Sequence, residues 1–194
     1  MRIIAGLARG RRLIPPVGRG TAIRPTADRA REALFNILGP ETVAGAAVLD
    51  LFAGTGALGL EAISRGARRA VFVDLAPSAL GIIRQNIALC GFSSQALVVR
   101  HDLLKSLPWG GRCPEDEGFE VIFLDPPYRQ GGAERLLAGL LAQGLLAAGG
   151  TVVFEDHAAE HLPETAGRLR LFDRRRYGDT GFWFYRLLNG GEGG

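Results

Sequence analysis

Between residues 47 and 155, apolar runs of strand length alternate with segments of helical periodicity, and this alternation constrains the fold more than any other feature of the chain. Strands are expected over 47–52, 70–74, 96–100, 121–125 and 151–155. Helices are expected over 56–65, 78–90 and 133–143. Strands covered by helices on both faces read as continuous Val, Ile, Leu and Phe, so the pattern predicts an α/β, Rossmann-like, mostly parallel sheet. The end of the chain departs from it. Runs 169–177 and 181–188 are extended and aromatic-rich, and Gly178-Asp179-Thr180 between them is too short for a parallel crossover, so a C-terminal antiparallel hairpin is expected.

With 194 residues and 47% hydrophobic composition, the chain has material for one domain with its own core. No apolar run reaches the roughly 18 residues of a membrane span, and the first residues lack the charged-then-apolar order of a signal peptide. Cys90 and Cys113 are too few for a disulfide framework or a thiolate metal site. A cytoplasmic protein, without membrane or metal, is expected, and nothing requires more than a monomer.

The net charge of +3 hides an asymmetry. Residues 1–31 carry Arg2, Arg9, Arg11, Arg12, Arg19, Arg24, Arg29 and Arg31 against Asp28 alone, and the remainder is net acidic. A basic arm on an acidic domain suits a phosphate-backbone partner. The arm reads as a small basic β-hairpin, with strands 2–6 and 11–14 turning through 8–10 and closed by Pro15-Pro16. Beyond a Gly/Pro-rich linker, Thr26 is expected to cap a helix bearing Ala30, Leu34, Ile37 and Leu38 on one face. The expected organisation is a hairpin and linker over 1–25, a main domain over 26–189 and a disordered glycine-rich tail over 190–194.

The first expected strand runs into Asp50-Leu51-Phe52-Ala53-Gly54-Thr55-Gly56, with Gly59 completing G-x-G-x-x-G before a helix. Glycines let the backbone turn sharply and approach a ligand, and the helix start offers unpaired N–H groups. A dinucleotide fits the same pattern, with Asp74 placed to hold a ribose. Asp50 argues against it, because a carboxylate at the strand end repels a pyrophosphate. S-adenosyl-L-methionine has no phosphate and carries an ammonium that Asp50 would attract. Asp74 and Asp102 follow the next two strands, where ligands of open α/β sheets lie; they suit the ribose hydroxyls and the adenine amine, and each also suits a helix N-cap. His101 reads as a packed or solvated side chain.

The fourth strand ends in Asp125-Pro126-Pro127-Tyr128. The prolines stop strand pairing and hold the loop extended. An exocyclic amine on a nucleobase is a poor nucleophile because its lone pair is delocalised into the ring. Acceptors on its two N–H groups, the Asp125 carboxylate and a carbonyl assigned to Pro126, would localise that pair and meet the positive charge that develops on nitrogen. Tyr128 would stack on the base.

Together, the Asp50–Gly56 and Asp125–Tyr128 motifs resemble those of the class I S-adenosylmethionine-dependent amino-methyltransferases. More narrowly, Arg2-Ile3-Ile4-Ala5-Gly6, Arg24-Pro25-Thr26, Arg31-Glu32-Ala33-Leu34-Phe35-Asn36, Gly59-Leu60-Glu61-Ala62, Ser64-Arg65-Gly66-Ala67, Asn86 and Tyr177-Gly178-Asp179-Thr180 are similar to the bacterial 16S rRNA guanine-N2 methyltransferase D family. The resemblance implies methyl transfer to N2 of the guanine conventionally numbered 966, with 16S rRNA of the small ribosomal subunit or its assembly intermediate as partner. It also implies rRNA contacts through the basic N-terminal portion, for which Arg2, Arg9, Arg11, Arg12, Arg24, Thr26 and Arg29 are the candidates. Thr55 stands where many relatives carry serine and Asp74 where they often carry glutamate. A DNA adenine-N6 methyltransferase is the alternative, since the same tetrapeptide serves any planar exocyclic amine; the short stretch before the cofactor loop argues against it. Residues 108–118 have no assigned role, and Arg174, Arg175 and Arg176 suit either an RNA contact or ordinary solvated charge.

Overall fold

The computed structural model describes residues 1–16, 25–111, 113–115, 117–127 and 132–188, with side chains from 28 to 109 in the second of these segments. Its strands, β1 (Ala47–Leu51), β2 (Arg69–Asp74), β3 (Ala96–Arg100), β4 (Phe119–Leu124), β5 (Leu146–His157), β6 (Thr165–Ala166), β7 (Leu169–Tyr177) and β8 (Thr180–Leu187), form one sheet in the order β3-β2-β1-β4-β5-β8-β7-β6. The first five in that order are parallel and the rest pair antiparallel. The helices are α1 (Pro25–Leu38), α2 (Pro40–Val43), α3 (Ala57–Ser64), α4 (Pro77–Cys90) and α5 (Ala133–Ala142).

Alternation along each central strand splits the core in two. Val48, Phe72, Phe123 and Val153 pack with α1, α3 and α4 on one face. Leu49, Val73, Leu124 and Phe154 pack with α5 on the other. The charged side chains of this sheet therefore have a face assigned by their parity in the strand.

Three local expectations are corrected, and one stretch left without a role gains one. Thr26 does not cap α1, which already begins at Pro25, whose fixed φ suits a first helical turn. Strands 2–6 and 11–14 are shorter than expected: one antiparallel bridge, Arg2 with Arg12, is flanked by hydrogen bonds from Ile3 N–H to the Arg11 carbonyl at 2.9 Å and from Leu13 N–H to the Met1 carbonyl at 3.2 Å, while the N–H groups of Ile4, Ala5, Leu7 and Ala8 turn to α3. β5 begins well before residue 151: Gly149 takes φ +70° and the register with β4 shifts, so the glycines bend the strand without ending it. The stretch 108–118 is not idle. Its Glu115 is buried and pairs with Arg68 at 2.9 Å and Arg69 at 2.8 Å, locking the entry to β2.

The arm is sewn to the domain. The N–H groups of Ile4 and Ala5 donate to the two carboxylate oxygens of Glu61 at 2.8 and 3.0 Å. Ala8 N–H donates to Ser64 Oγ, and Leu7 N–H to the Ser64 carbonyl. Ile14 N–H donates to Asn86 Oδ1 at 2.7 Å, while Asn86 Nδ2 donates to the carbonyls of Ile14 and Thr55. Glu61, Ser64 and Asn86 are fully buried, and the arm's backbone supplies much of their hydrogen bonding, beside the Arg65–Glu61 pair at 2.8 Å and the Asn86 bond to the Thr55 carbonyl. Residues 190–194 lie outside the described residues.

Candidate active site

β1 and β4 lie side by side, but α3 carries the chain from β1 across one face and α5 follows β4 on the other. The chain therefore parts at their carboxyl ends, where an open α/β sheet forms its ligand crevice. Leu51 is level with Leu124, so the glycine loop and Asp125 leave the sheet next to each other.

The glycine loop is under strain. Phe52 has φ +61°, a left-handed conformation that costs a bulky residue about 1–3 kcal/mol. Hydrogen bonds on either side hold it there, from Ala53 N–H to the Val73 carbonyl at 3.1 Å and from Gly56 N–H to the Ala53 carbonyl at 2.7 Å. Gly54 and Gly56 also have positive φ, and Gly56 caps α3 without any side-chain hydrogen bond. Ala53 and Thr55 are buried, and the Thr55 hydroxyl faces Met1 Sδ at 4.0 Å.

Asp50 lies beneath this loop, 2% exposed, with Oδ2 accepting from Gly59 N–H at 2.9 Å. Only glycine allows that approach: a Cβ at Gly59 would stand 2.4 Å from Phe72 Cε1 and 3.2 Å from Asp50 Oδ2. Burial pushes the Asp50 carboxyl up to about 8, the Gly59 N–H opposes, and Asp125 and Asp74 add to the rise. Asp74 is half-buried and clips the loop, accepting from Gly54 N–H through Oδ2 and from Ala76 N–H through Oδ1, both at 2.9 Å. It does not cap α4, whose N-cap is Ala76. Asp102 likewise caps no helix: it accepts from Leu104 N–H at 3.2 Å and pairs with Lys105 at 3.5 Å. His101 N–H donates to the Asp74 carbonyl, joining the ends of β2 and β3, and its ring meets Ser106.

The chemistry of this donor set fits S-adenosyl-L-methionine. Asp74 keeps lone pairs beyond the two it gives the loop. Leu75 and Leu104, one after each of the two clipped turns, are 46% and 44% exposed and offer apolar surface to a purine. A Cβ at Gly54 would meet nothing nearer than 3.9 Å, so backbone is presented there without obstruction. Acidic groups around the crevice favour an ammonium and a sulfonium and disfavour a pyrophosphate.

On the β4 side, Asp125 N–H donates to the Leu51 carbonyl at 3.4 Å, Pro126 is half-buried and Pro127 exposed. Tyr128 lies outside the described residues. The structure adds a carboxylate that motif reading missed. Phe154 is level with Leu124, so Glu155 stands beside Asp125 on the adjacent strand. By parity Asp50, Asp125 and Glu155 all turn toward the α1 face. The Glu155 side chain makes no hydrogen bond or ion pair among the described residues. Burial and then Asp125 push its carboxyl well above the ordinary range, while Arg31 pulls it down. Arg31 is itself buried, donating to the Arg2 carbonyl at 2.6 Å and to Asp28 at 3.0 Å. Only the strand register could have announced Glu155, since Phe-Glu-Asp carries no motif.

Of the candidate RNA contacts, Arg2, Arg9, Arg11, Arg12 and Arg29 are exposed. Arg24 and the Thr26 side chain lie outside the described residues. The second arginine group is engaged internally. Arg174 donates to the carbonyls of Ala158 and Glu160 and covers the Trp183 ring at 4.9 Å, Arg175 pairs with Asp173, and Arg176 donates to the Gly178 carbonyl.

Comparison with known proteins agrees with this geometry. Residues 1–186 match the family model described as Conserved hypothetical protein 95. YlbH of Bacillus subtilis (strain 168) is 37% identical over 96% of this chain and 98% of its own length. Ribosomal RNA small subunit methyltransferase D of Escherichia coli (strain K12) is 34% identical over 99% of this chain and 92% of its own. The solved structure of the Escherichia coli methyltransferase yhhF superposes with a TM-score of 0.80 at 33% identity, over 96% of this chain and 97% of that one. With the parallel sheet, the strained glycine loop and the neighbouring Asp125 turn already in place, these likenesses make the chain a class I methyltransferase of the Conserved hypothetical protein 95 family.

Proposed function

We propose that this enzyme transfers a methyl group from S-adenosyl-L-methionine to the exocyclic N2 of guanine 966 in 16S rRNA, within the small ribosomal subunit or its assembly intermediate. The observation that carries the proposal is the register of β1 with β4, which sets the glycine loop and Asp125 on adjacent strand ends. A relative of nearly the same length bears the name of a small-subunit rRNA methyltransferase.

Asp74, Asp102 and the loop from Phe52 to Gly56 would hold the cofactor, with Asp50 supporting the loop from below. When bound, S-adenosyl-L-methionine supplies an electrophilic methyl on a sulfonium. Asp125 and the Pro126 carbonyl accept the two N2–H groups, localise the nitrogen lone pair and stabilise the positive charge on the attacking nitrogen; as the N–C bond forms the methyl's bond to sulfur breaks, and the surplus N2 proton then leaves to solvent. Tyr128 stacks on the base, which must leave its helix to reach the pocket. The exposed arginines Arg2, Arg9, Arg11, Arg12 and Arg29, with Arg24 and Thr26, hold the RNA backbone.

The test is transfer of labelled methyl to unmodified small subunits, deproteinised rRNA and duplex DNA, followed by nucleoside analysis. N2-methylguanosine in a ribosomal sample is expected. Methyladenine in DNA, or no transfer, would overturn the proposal. Asp125→Ala should lower turnover by about 10²–10³-fold with cofactor affinity retained by calorimetry, because the interaction it removes matters mainly in the transition state.

A further inference from the structure

Glu155 is a carboxylate of the crevice that neither supports the glycine loop nor is used by the cofactor or motif chemistry described above. Its strand position is level with Asp125, and both side chains turn to the α1 face. Adjacent strands lie about 4.8 Å apart, so two carboxylates on one level present acceptors to neighbouring positions of one planar ring. The half-buried Glu155 carboxylate takes no hydrogen bond or ion pair from another side chain among the described residues, so its oxygens are open to an incoming donor. Arg31 supplies the opposing charge from α1 without pairing to it directly, which keeps the carboxylate oxygens available.

The Watson–Crick edge of guanine carries N1–H next to the N2 amine. Adenine and 2-aminopurine have a bare N1 lone pair in that position. Resting on the methylation of guanine N2 proposed above, we infer that Glu155 accepts the N1–H of the target guanine while Asp125 holds its N2 amine, making Glu155 a base-selecting residue of this site. Ionised, its carboxylate repels a bare N1. Protonated, its hydroxyl can donate to a bare N1, so the selection belongs to the ionised form, which Arg31 favours. A site built to pair with a donor rejects the analogue lacking it, because its own polar group is then left unpaired.

The experiment compares kcat/KM for small-subunit RNA carrying guanine or 2-aminopurine at the target position, both of which offer an N2 amine. Wild type is expected to favour guanine by roughly 10- to 100-fold, the range for one hydrogen bond to a charged group. Glu155→Met, similar in length but without an acceptor, should lose about that factor on guanine and almost nothing on 2-aminopurine, so that the preference collapses. Glu155→Gln keeps a carbonyl oxygen for N1–H and should keep most of the rate on guanine, while its amide N–H can donate to the bare N1 of 2-aminopurine and so narrows the preference. Cofactor binding by calorimetry checks that each variant is folded. Equal loss on both bases, or a wild type that methylates 2-aminopurine as well as guanine, would overturn the role of Glu155 and leave the methylation standing. Failure of wild type to methylate guanine N2 at all would overturn the reading on which the inference rests.

Discussion

Asp50 loses water on folding and gains one N–H, and the balance holds its proton until about pH 8. Its carboxyl is raised above the unfolded value of 3.8, so the stability tied to its neutral form is full below about pH 4 and is lost as pH climbs through 8. Asp50→Asn keeps an oxygen for Gly59 and removes the titration. Between pH 4 and 8 wild type should lose up to about 1.4 kcal/mol per pH unit relative to the variant, which urea unfolding of both proteins at pH 5, 6.5 and 8 will measure. Parallel curves would show that Asp50 is ionised throughout. The same residue shows what sequence reading reaches: a carboxylate at the strand end is visible in the motif, whereas its place beneath the loop depends on α3 packing against Phe72. Phe52 is visible as a loop residue, but its left-handed φ is not, because it is imposed by hydrogen bonds from β2 and the loop itself.

At the level of elements, α3 is the seat on which the N-terminal arm rests. Its residues Glu61 and Ser64 are polar side chains in a helix, a pattern that ordinarily marks a solvated face, so only the docked arm reveals why they are buried. Gly6 makes that docking possible. It has φ +79°, and a Cβ there would stand 1.7 Å from the Ser64 carbonyl oxygen. Gly6→Ala therefore combines a left-handed penalty of about 1–2 kcal/mol with a backbone collision, and should destabilise the protein by at least about 2 kcal/mol. Chemical denaturation measures it; a variant as stable as wild type would mean that the docking of the arm on α3 contributes nothing. The order of strands and helices is legible because periodicity is local. The early start of β5 is not, since Gly149 reads as a breaker and only pairing with β4 and β8 keeps the strand going.

For the whole molecule, the charge asymmetry seen in the sequence becomes an arrangement in space. Arg9, Arg11 and Arg12 stand exposed at the hairpin, while the carboxylates gather at the strand ends. Replacing all three arginines with alanine should weaken RNA binding and flatten its dependence on salt, by about 0.7–0.9 in the log–log slope for each phosphate no longer neutralised, as filter binding across a salt series would show. An unchanged slope would leave the arm a solvated surface. Removing the arm altogether would be a poorer test, because it strips partners from the buried Glu61, Ser64 and Asn86. Asn86 bonds to Ile14 in both directions and to the Thr55 carbonyl, so arm, glycine loop and α4 share one polar joint. Breaking that joint exposes all three at once, which makes them a single cooperative opening unit. Amide hydrogen exchange at Ile4, Ala5 and Ile14 should then proceed at the same opening free energy as Gly59, and RNA held by the arm should slow exchange in the loop that cradles the methyl donor.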